Sequence, residues 1–179
     1  MVDPVTTARF AYRAAFLGFA ALFLFLRLMP LSALPPAWPG PDLLLCLTIV
    51  WVIRRPDYVP AGAVLLVFLL DDIMTMRPPG LWTLIALVGS EFVRSRAVLT
   101  RDLPFVIEWL MAAAVILAMM LANRFALLLF MVPTTGLATV LLQYLSTMLA
   151  YPAVVAVSAI ALGLRKTSPG EVDALGHRL

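Results

Sequence analysis

The sequence predicts an all-α integral membrane protein in which about six transmembrane helices form one bundle. The 179-residue chain is 63% hydrophobic and 13% charged, and its mean hydropathy is +1.02. A soluble domain is usually about 45–50% apolar and about 25% charged. Long apolar runs separated by proline, glycine and charged residues recur along the chain. Because lipid tolerates no unpaired backbone, these runs are predicted to be helices.

Six apolar segments account for most of the chain. The predicted spans lie near residues 10–29, 42–53, 58–76, 80–93, 104–123 and 136–164. Residues 1–166 would then form the transmembrane domain, and residues 167–179 a cytoplasmic tail. The first run is followed by LSALPPAWPGP rather than by a small-residue cleavage site, so it is predicted to be a span and not a signal peptide. The stretch FALLLFMVPTTG after residue 124 either extends the fifth helix or lies along the outer surface.

The basic residues alternate between the loops in a way that predicts orientation. Ten of the thirteen Lys and Arg residues fall in loops or ends on one side of the six predicted spans. Arg27, Arg77 and Arg124 are the exceptions, at the opposite ends of the helices. The positive-inside rule therefore predicts a multi-pass protein of the cell membrane with both termini in the cytoplasm.

Composition argues against several classes of function. Cys46 is the only cysteine and His177, in the polar tail, is the only histidine, so neither a His/Cys metal cluster nor a serine hydrolase triad is expected. No nucleotide or cofactor motif is present, and the basic residues form no stripe that would suit nucleic acid. The enzymatic alternative is an aspartic-protease-like pair of Asp42 and Asp72. Neither aspartate has a glycine-rich GxGD context, so we expect a protein that is not an enzyme and has no cofactor.

Two aspartates are predicted at membrane depth. Only eleven residues separate Asp42 from Arg54, about 17 Å of helix against a hydrocarbon core of about 30 Å. Counted from the cytoplasmic side, Asp42 and Asp72 reach a similar level in the outer half of the membrane. A charge there costs at least about 2.5–3.5 kcal/mol, so each carboxylate needs a partner. Arg77 and Arg124 are the expected counter-ions.

The acidic residues also have structural explanations. Asp42 follows Pro41 at the start of a predicted helix, where a carboxylate can cap free N–H groups. Asp71 and Asp72 point about 100° apart on a helix, so one is expected to face the bundle and the other its outer rim. Glu108 is expected to extend to the cytoplasmic interface. In the last helix, Pro152 removes a backbone hydrogen bond and is expected to bend the helix.

Short motifs in a fixed order resemble those of a known family. They are PDLLLCLTIVW (residues 41–51), RRPD (residues 54–57), a glycine-led helix from Gly62 to Asp72, the later Pro78 and Gly80–Leu81, and the Tyr151–Pro152 pair. Asp72, eight residues before Gly80, has the spacing that the family shows. Over residues 35–166 this order resembles the MreD family of bacterial rod-shape-determining membrane proteins.

The resemblance implies a non-enzymatic scaffold subunit of the cell-elongation machinery that directs peptidoglycan synthesis. Its expected partners are the single-span protein MreC, the RodA glycosyltransferase with its class B transpeptidase, the MreB filament and membrane lipid. The family is also similar in fold to the substrate-binding subunits of energy-coupling-factor vitamin transporters. A substrate-binding transporter subunit is therefore the alternative function.

The scaffold interpretation includes a docking hypothesis. Asp42, Asp72 and the bend at Pro152 would shape a pocket or seam on the periplasmic side, in which MreC or a ligand docks. Small residues at spacing four, such as Ala14 and Gly18, would let a partner helix approach closely.

Overall fold

The computed structural model describes residues 4–29, 39–100 and 104–162. Within these ranges the chain is all-helical, as predicted. Its six α-helices are α1 (Pro4–Leu28), α2 (Leu43–Arg54), α3 (Ala61–Met74), α4 (Leu81–Thr100), α5 (Phe105–Leu129) and α6 (Leu137–Leu162), and a short 3₁₀ turn (Pro56–Tyr58) joins α2 to α3. Each helix corresponds to one predicted span. The predicted tail, residues 167–179, lies outside the described residues.

Three helices are long and apolar enough to cross a membrane. They are the part of α1 from Arg9 to Leu28, α5 from Phe105 to Leu129, and α6 from Leu137 to Ile160. The chain is thus a multi-pass membrane protein by the length and composition of its helices. With 12 residues in α2 and 14 in α3, these two helices extend only about 18 Å and 21 Å.

Two helices extend beyond their predicted ends. Helix α4 continues to Thr100 instead of ending near residue 93, because its charged residues are accommodated at the protein surface or by hydrogen bonds. Arg94, for example, donates to the carbonyl oxygens of Pro56 and Val59 and pairs with Glu91 at 3.0 Å. Helix α5 extends to Leu129, so the apolar stretch after residue 124 begins as helix rather than as a surface segment.

The short helix α2 forms the centre of the bundle. Every residue from Leu44 to Ile53 is buried, and α2 packs against α1, α4 and α6. A helix that is apolar on all sides, as LLLCLTIVWVI is, has no face for water or lipid and belongs in a core. Trp51 is fully buried against Phe16 of α1 and donates to Ser158 Oγ of α6 at 3.3 Å. The other helices are therefore arranged around α2.

Successive helices run in alternate directions, which separates the polar residues into two ends. At what we term the proximal end, Arg13 of α1 donates to the carbonyl oxygen of Asp57, and Tyr12 stacks on Tyr58 with ring centroids 4.4 Å apart. At the distal end, Arg27 of α1 reaches Asp71 of α3. The N-termini of α1 and α3 thus lie at the proximal end, and their C-termini lie at the distal end.

A glycine allows α4 and α5 to approach closely. Gly89 is buried in α4, and a methyl group added there would overlap the thioether sulfur of Met119 in α5. Met120, the next residue of α5, and Trp82, nearer the start of α4, both line a cleft at the distal end. The contact at Gly89 therefore helps to set the width of that cleft.

Helix α6 passes through Pro152 without interruption, and a side chain of α5 compensates for the missing hydrogen bond. Proline has no N–H, so the carbonyl oxygen four residues earlier, on Met148, loses its usual donor. The indole nitrogen of Trp109 donates to that oxygen at 3.3 Å. In an apolar environment an unpaired carbonyl is costly, so this bond both satisfies α6 and attaches it to α5.

We predict that the Trp109 and Pro152 substitutions are coupled. Trp109→Phe should lower the free energy of unfolding by about 0.5–1.5 kcal/mol, the usual net value of one hydrogen bond. In a Pro152→Ala background the alanine N–H can donate a hydrogen bond to the carbonyl oxygen of Met148. The stability cost of Trp109→Phe should therefore become smaller. Unfolding of the four proteins of this double-mutant cycle in one detergent provides the measurement. Equal costs in the two backgrounds would contradict the proposed compensation.

Candidate functional site

Asp42 caps the central helix at the distal end. Its carboxylate accepts a hydrogen bond from the backbone N–H of Leu45 at 3.0 Å, the third residue of α2. Its own backbone N–H donates to Thr147 Oγ1 of α6 at 3.0 Å. Asp42 is 5% exposed, so water does little to satisfy these groups. The capping interpretation of Asp42 is confirmed, and α6 supplies part of the cap.

Asp72 caps a different helix from the one it belongs to. Its Oδ2 accepts hydrogen bonds from the N–H of Gly80 at 3.0 Å, the N–H of Thr83 at 3.2 Å and the hydroxyl of Thr83 at 2.8 Å. Gly80 precedes α4, has a φ of 91° and has no side chain with which to cap that helix. The turn after α3 therefore brings Asp72 over the start of α4, and the carboxylate takes the role of an N-cap.

Asp71 forms the ion pairs that were expected of the other aspartates. Its carboxylate lies 3.0 Å from the Arg27 guanidinium and 3.7 Å from that of Arg77. The expectation that Arg77 and Arg124 neutralise Asp42 and Asp72 was wrong. The carboxylates of Asp42 and Asp72 accept hydrogen bonds from helix N-termini instead. Arg27 of α1 lies beside α3 and pairs with Asp71.

The expectation that one of the two neighbouring aspartates faces an outer rim was also wrong. Both Asp71 and Asp72 are fully buried. Helix α3 packs against both α1 and α4. The side chains of Asp71 and Asp72 point about 100° apart, and each of them therefore meets a neighbouring helix.

Glu108 does not extend to an interface, contrary to expectation. It is fully buried, with Oε1 3.6 Å from Arg54 Nη2 and 3.5 Å from the Tyr151 hydroxyl. Because Glu108 lies in the first turn of α5 beside the end of α2, a buried basic partner is available there. The three residues connect α2, α5 and α6 near the proximal end.

A polar cleft of about 260 Å³ opens at the distal end. It lies between the start of α2, the turn before α4, the end of α5 and the start of α6. Arg124 Nη1 donates to the carbonyl oxygen of Thr135, which holds the α5–α6 connection beside the cleft. The lining residues are Asp42, Arg77, Pro78, Leu81, Trp82, Met120, Asn123, Arg124, Leu127, Pro133, Thr134, Thr135, Val140 and Gln143.

Three of the five candidate site residues that the sequence indicated line the cleft. Asp42, Arg77 and Arg124 line it. Asp72 is not among the lining residues, and its Oδ2 is occupied by α4. Pro152 lies on α6 away from the cleft and is exposed. The tertiary structure therefore separates the candidates between the cleft, a helix cap and the side of the bundle.

An apolar groove runs along the side of the bundle between α1 and α6. Its volume is about 340 Å³, and α2 forms its base. Ala150 and Ala153 contribute only methyl groups to the groove, so α6 has no bulky side chain at these two positions. The lining residues are Phe19, Leu22, Phe23, Leu43, Leu47, Ala150, Ala153, Val154, Val157 and Ser158.

Several residues of the distal end were not singled out from the sequence. Arg27 is the closer counter-ion of Asp71, Thr83 completes the cap of α4, and Trp82 forms one wall of the cleft. The sequence did give a signal for Arg27, because it is one of the three basic residues predicted at the outer ends of the helices. Its pairing could not be predicted, because it depends on which helix packs beside α1.

No protein-family model, curated protein or solved structure matches the chain. Within residues 4–29, 39–100 and 104–162, no group of three or more His, Cys, Asp or Glu residues is placed to hold a metal ion. The polar cleft and the apolar groove are the candidate binding surfaces considered among the described residues.

We predict that Asp72 is needed mainly for stability. Asp72→Ala removes an acceptor from three donors at the start of α4 and should lower the free energy of unfolding by about 1–3 kcal/mol. Asp72→Asn, which keeps one oxygen acceptor, should lose less. Thermal unfolding in detergent gives the comparison. Asp57→Ala, an exposed position, is the matched control and should change stability by less than about 0.5 kcal/mol.

Proposed function

We propose that this protein is a non-enzymatic scaffold of the MreD type, and that its apolar groove binds the transmembrane helix of an MreC partner. In this proposal all six helices lie in the cell membrane, with both termini cytoplasmic and the distal end periplasmic. RodA with its class B transpeptidase and the MreB filament would join through the resulting complex. The groove is the observation that carries the proposal.

The shape of the groove suits a helix. Transmembrane helices associate through close packing, which small residues at the contact permit. Here Ala150 and Ala153 lie one turn apart on α6, and Leu22 and Phe23 of α1 form the opposite wall. A single apolar helix seated between them would contact α1, α2 and α6 together. An enzyme or ligand site would instead carry polar groups, and Ser158 is the one hydroxyl among the lining residues.

The residues behind the MreD resemblance have clear structural roles, which supports the proposal at the level of the fold. Asp42, in the Pro-Asp-leucine motif, caps α2, the central helix. Asp72, with its spacing to Gly80, caps α4. The two aspartates of the resembling motifs therefore help to position α2 and α4, and this supports the proposal.

The distribution of charge supports the proposed orientation. The described basic residues at the proximal end include Arg13, Arg54, Arg55, Arg94 and Arg96, whereas Arg27, Arg77 and Arg124 belong to the distal end. The basic excess at the proximal end favours the cytoplasmic side.

The proposal predicts that filling the groove prevents partner binding. Ala153→Leu adds bulk to an exposed groove position and should reduce recovery of MreC at least about tenfold, which equals about 1.4 kcal/mol and lies within the cost of overpacking a contact. The measurement is quantitative mass spectrometry of proteins that co-purify with the tagged chain in mild detergent. Ala156→Leu changes an exposed residue of the same helix that does not line the groove, and it should leave recovery unchanged.

Two results would contradict the scaffold proposal. Unchanged MreC recovery with Ala153→Leu would remove the groove as the docking surface. Recovery of a coupling membrane protein with ATPases, and of no cell-wall synthesis protein, would favour the alternative of a substrate-binding transporter subunit. In that case the polar cleft, lined by Thr134, Thr135 and Gln143, would be the place to seek a substrate.

A further inference from the structure

The distal cleft offers more hydrogen-bond donors than its own acceptors use. Among its charged lining residues are two arginines, Arg77 and Arg124, and one carboxylate, Asp42. The Asp42 carboxylate is already engaged in capping α2 and is almost completely buried. The lining residues thus carry two positive formal charges and one negative formal charge.

The two guanidinium groups retain capacity for another partner. Arg77 is 3.7 Å from Asp71 Oδ2, which exceeds hydrogen-bond distance, and Arg77 lies over the Trp82 ring at 5.9 Å. Its side chain is 31% exposed. Arg124 uses one nitrogen to donate to Thr135, and an arginine has five N–H donors in total.

Neutral donors line the cleft beside the two arginines. Asn123 of α5 and Gln143 of α6 contribute side-chain amides, and Thr134 and Thr135 contribute hydroxyl groups. Side chains that can donate hydrogen bonds are thus present on α5, on α6 and on the connections that follow α3 and α5.

The number and spread of these donors identify the class of ligand. A carboxylate offers two oxygens in one plane, whereas a phosphate group offers oxygens in several directions and is a preferred partner of arginine. Leu127 and Val140 provide an apolar wall beside the charged groups. A volume of about 260 Å³ suits a headgroup rather than a whole lipid.

We propose that the distal cleft binds a phosphate or phosphate-ester group, with Arg77 and Arg124 holding the anion. This site goes beyond the proposed scaffold function, because it uses other residues than the groove. The phosphate can come from the headgroup of an anionic lipid or from a soluble phosphate compound, and the test separates these sources.

The test is isothermal titration of the full-length protein in an uncharged maltoside detergent with four probes. The probes are dioctanoyl phosphatidic acid, dioctanoylglycerol, inorganic phosphate and octanoate. We expect the phosphatidic acid to bind at least about tenfold more tightly than dioctanoylglycerol or octanoate, since the charge-assisted hydrogen bonds need the phosphate. Inorganic phosphate that binds as tightly as the phosphatidic acid would support the site and assign it to a soluble phosphate.

Variants then locate the binding. Arg77→Gln and Arg124→Gln should each weaken phosphatidic acid binding about 10- to 100-fold, as expected for the loss of a charge-assisted hydrogen bond. Arg124→Lys should recover part of the loss. Arg96→Gln removes the same charge from the proximal end of α4 and should have no effect.

Three outcomes would overturn the proposal: no binding of either phosphate probe, equal binding of octanoate and phosphatidic acid, or equal weakening by Arg96→Gln and Arg124→Gln. The comparison of probes uses the unchanged chain, so it decides the question even where a variant fails to fold. Ala153→Leu should leave phosphate binding intact. Its effect on MreC recovery therefore tests the groove separately from the cleft.

Discussion

The structure depends on satisfying backbone polar groups that lie among apolar side chains. Helix α2 is buried along its length, so its first N–H groups cannot rely on water. Asp42 and Thr147 close that end, and Asp72 does the same for α4. The carbonyl oxygen that Pro152 leaves without a donor is satisfied by an indole. Each of these bonds except that from Leu45 to Asp42 joins two separate segments of the chain, so satisfying the backbone also positions the helices.

Charge is arranged by the same constraint. Asp42 and Asp72 accept hydrogen bonds from helix N-termini. Asp71 accepts from Arg27 and forms a longer ion pair with Arg77. Arg124 is left beside the cleft with a backbone carbonyl as its partner. The charged residues of the cleft are thus two arginines and one carboxylate, which supports an anion as the proposed ligand.

The two surfaces differ in the kind of partner they suit. The groove between α1 and α6 is apolar and shallow at its alanines, as helix packing requires. The cleft is polar and lies at the distal end, which faces the periplasm in the proposed orientation. A scaffold with both surfaces could bind a partner helix and a phosphate group independently, because the two sets of lining residues do not overlap.

The sequence by itself determined the fold class and the positions of the six helices, because apolar length and breakers are local patterns. It also offered a helix cap as one of two explanations for Asp42, from the Pro-Asp pair. It also indicated that acids and arginines would meet at one end of the bundle. Only the tertiary structure decided the partners. Whether Arg27 or Arg124 reaches an aspartate, and whether Glu108 is buried, depends on which helices are neighbours. Helical periodicity gives the direction of a side chain but not the identity of the helix it faces, so the pairs, the cleft and the groove required the folded chain.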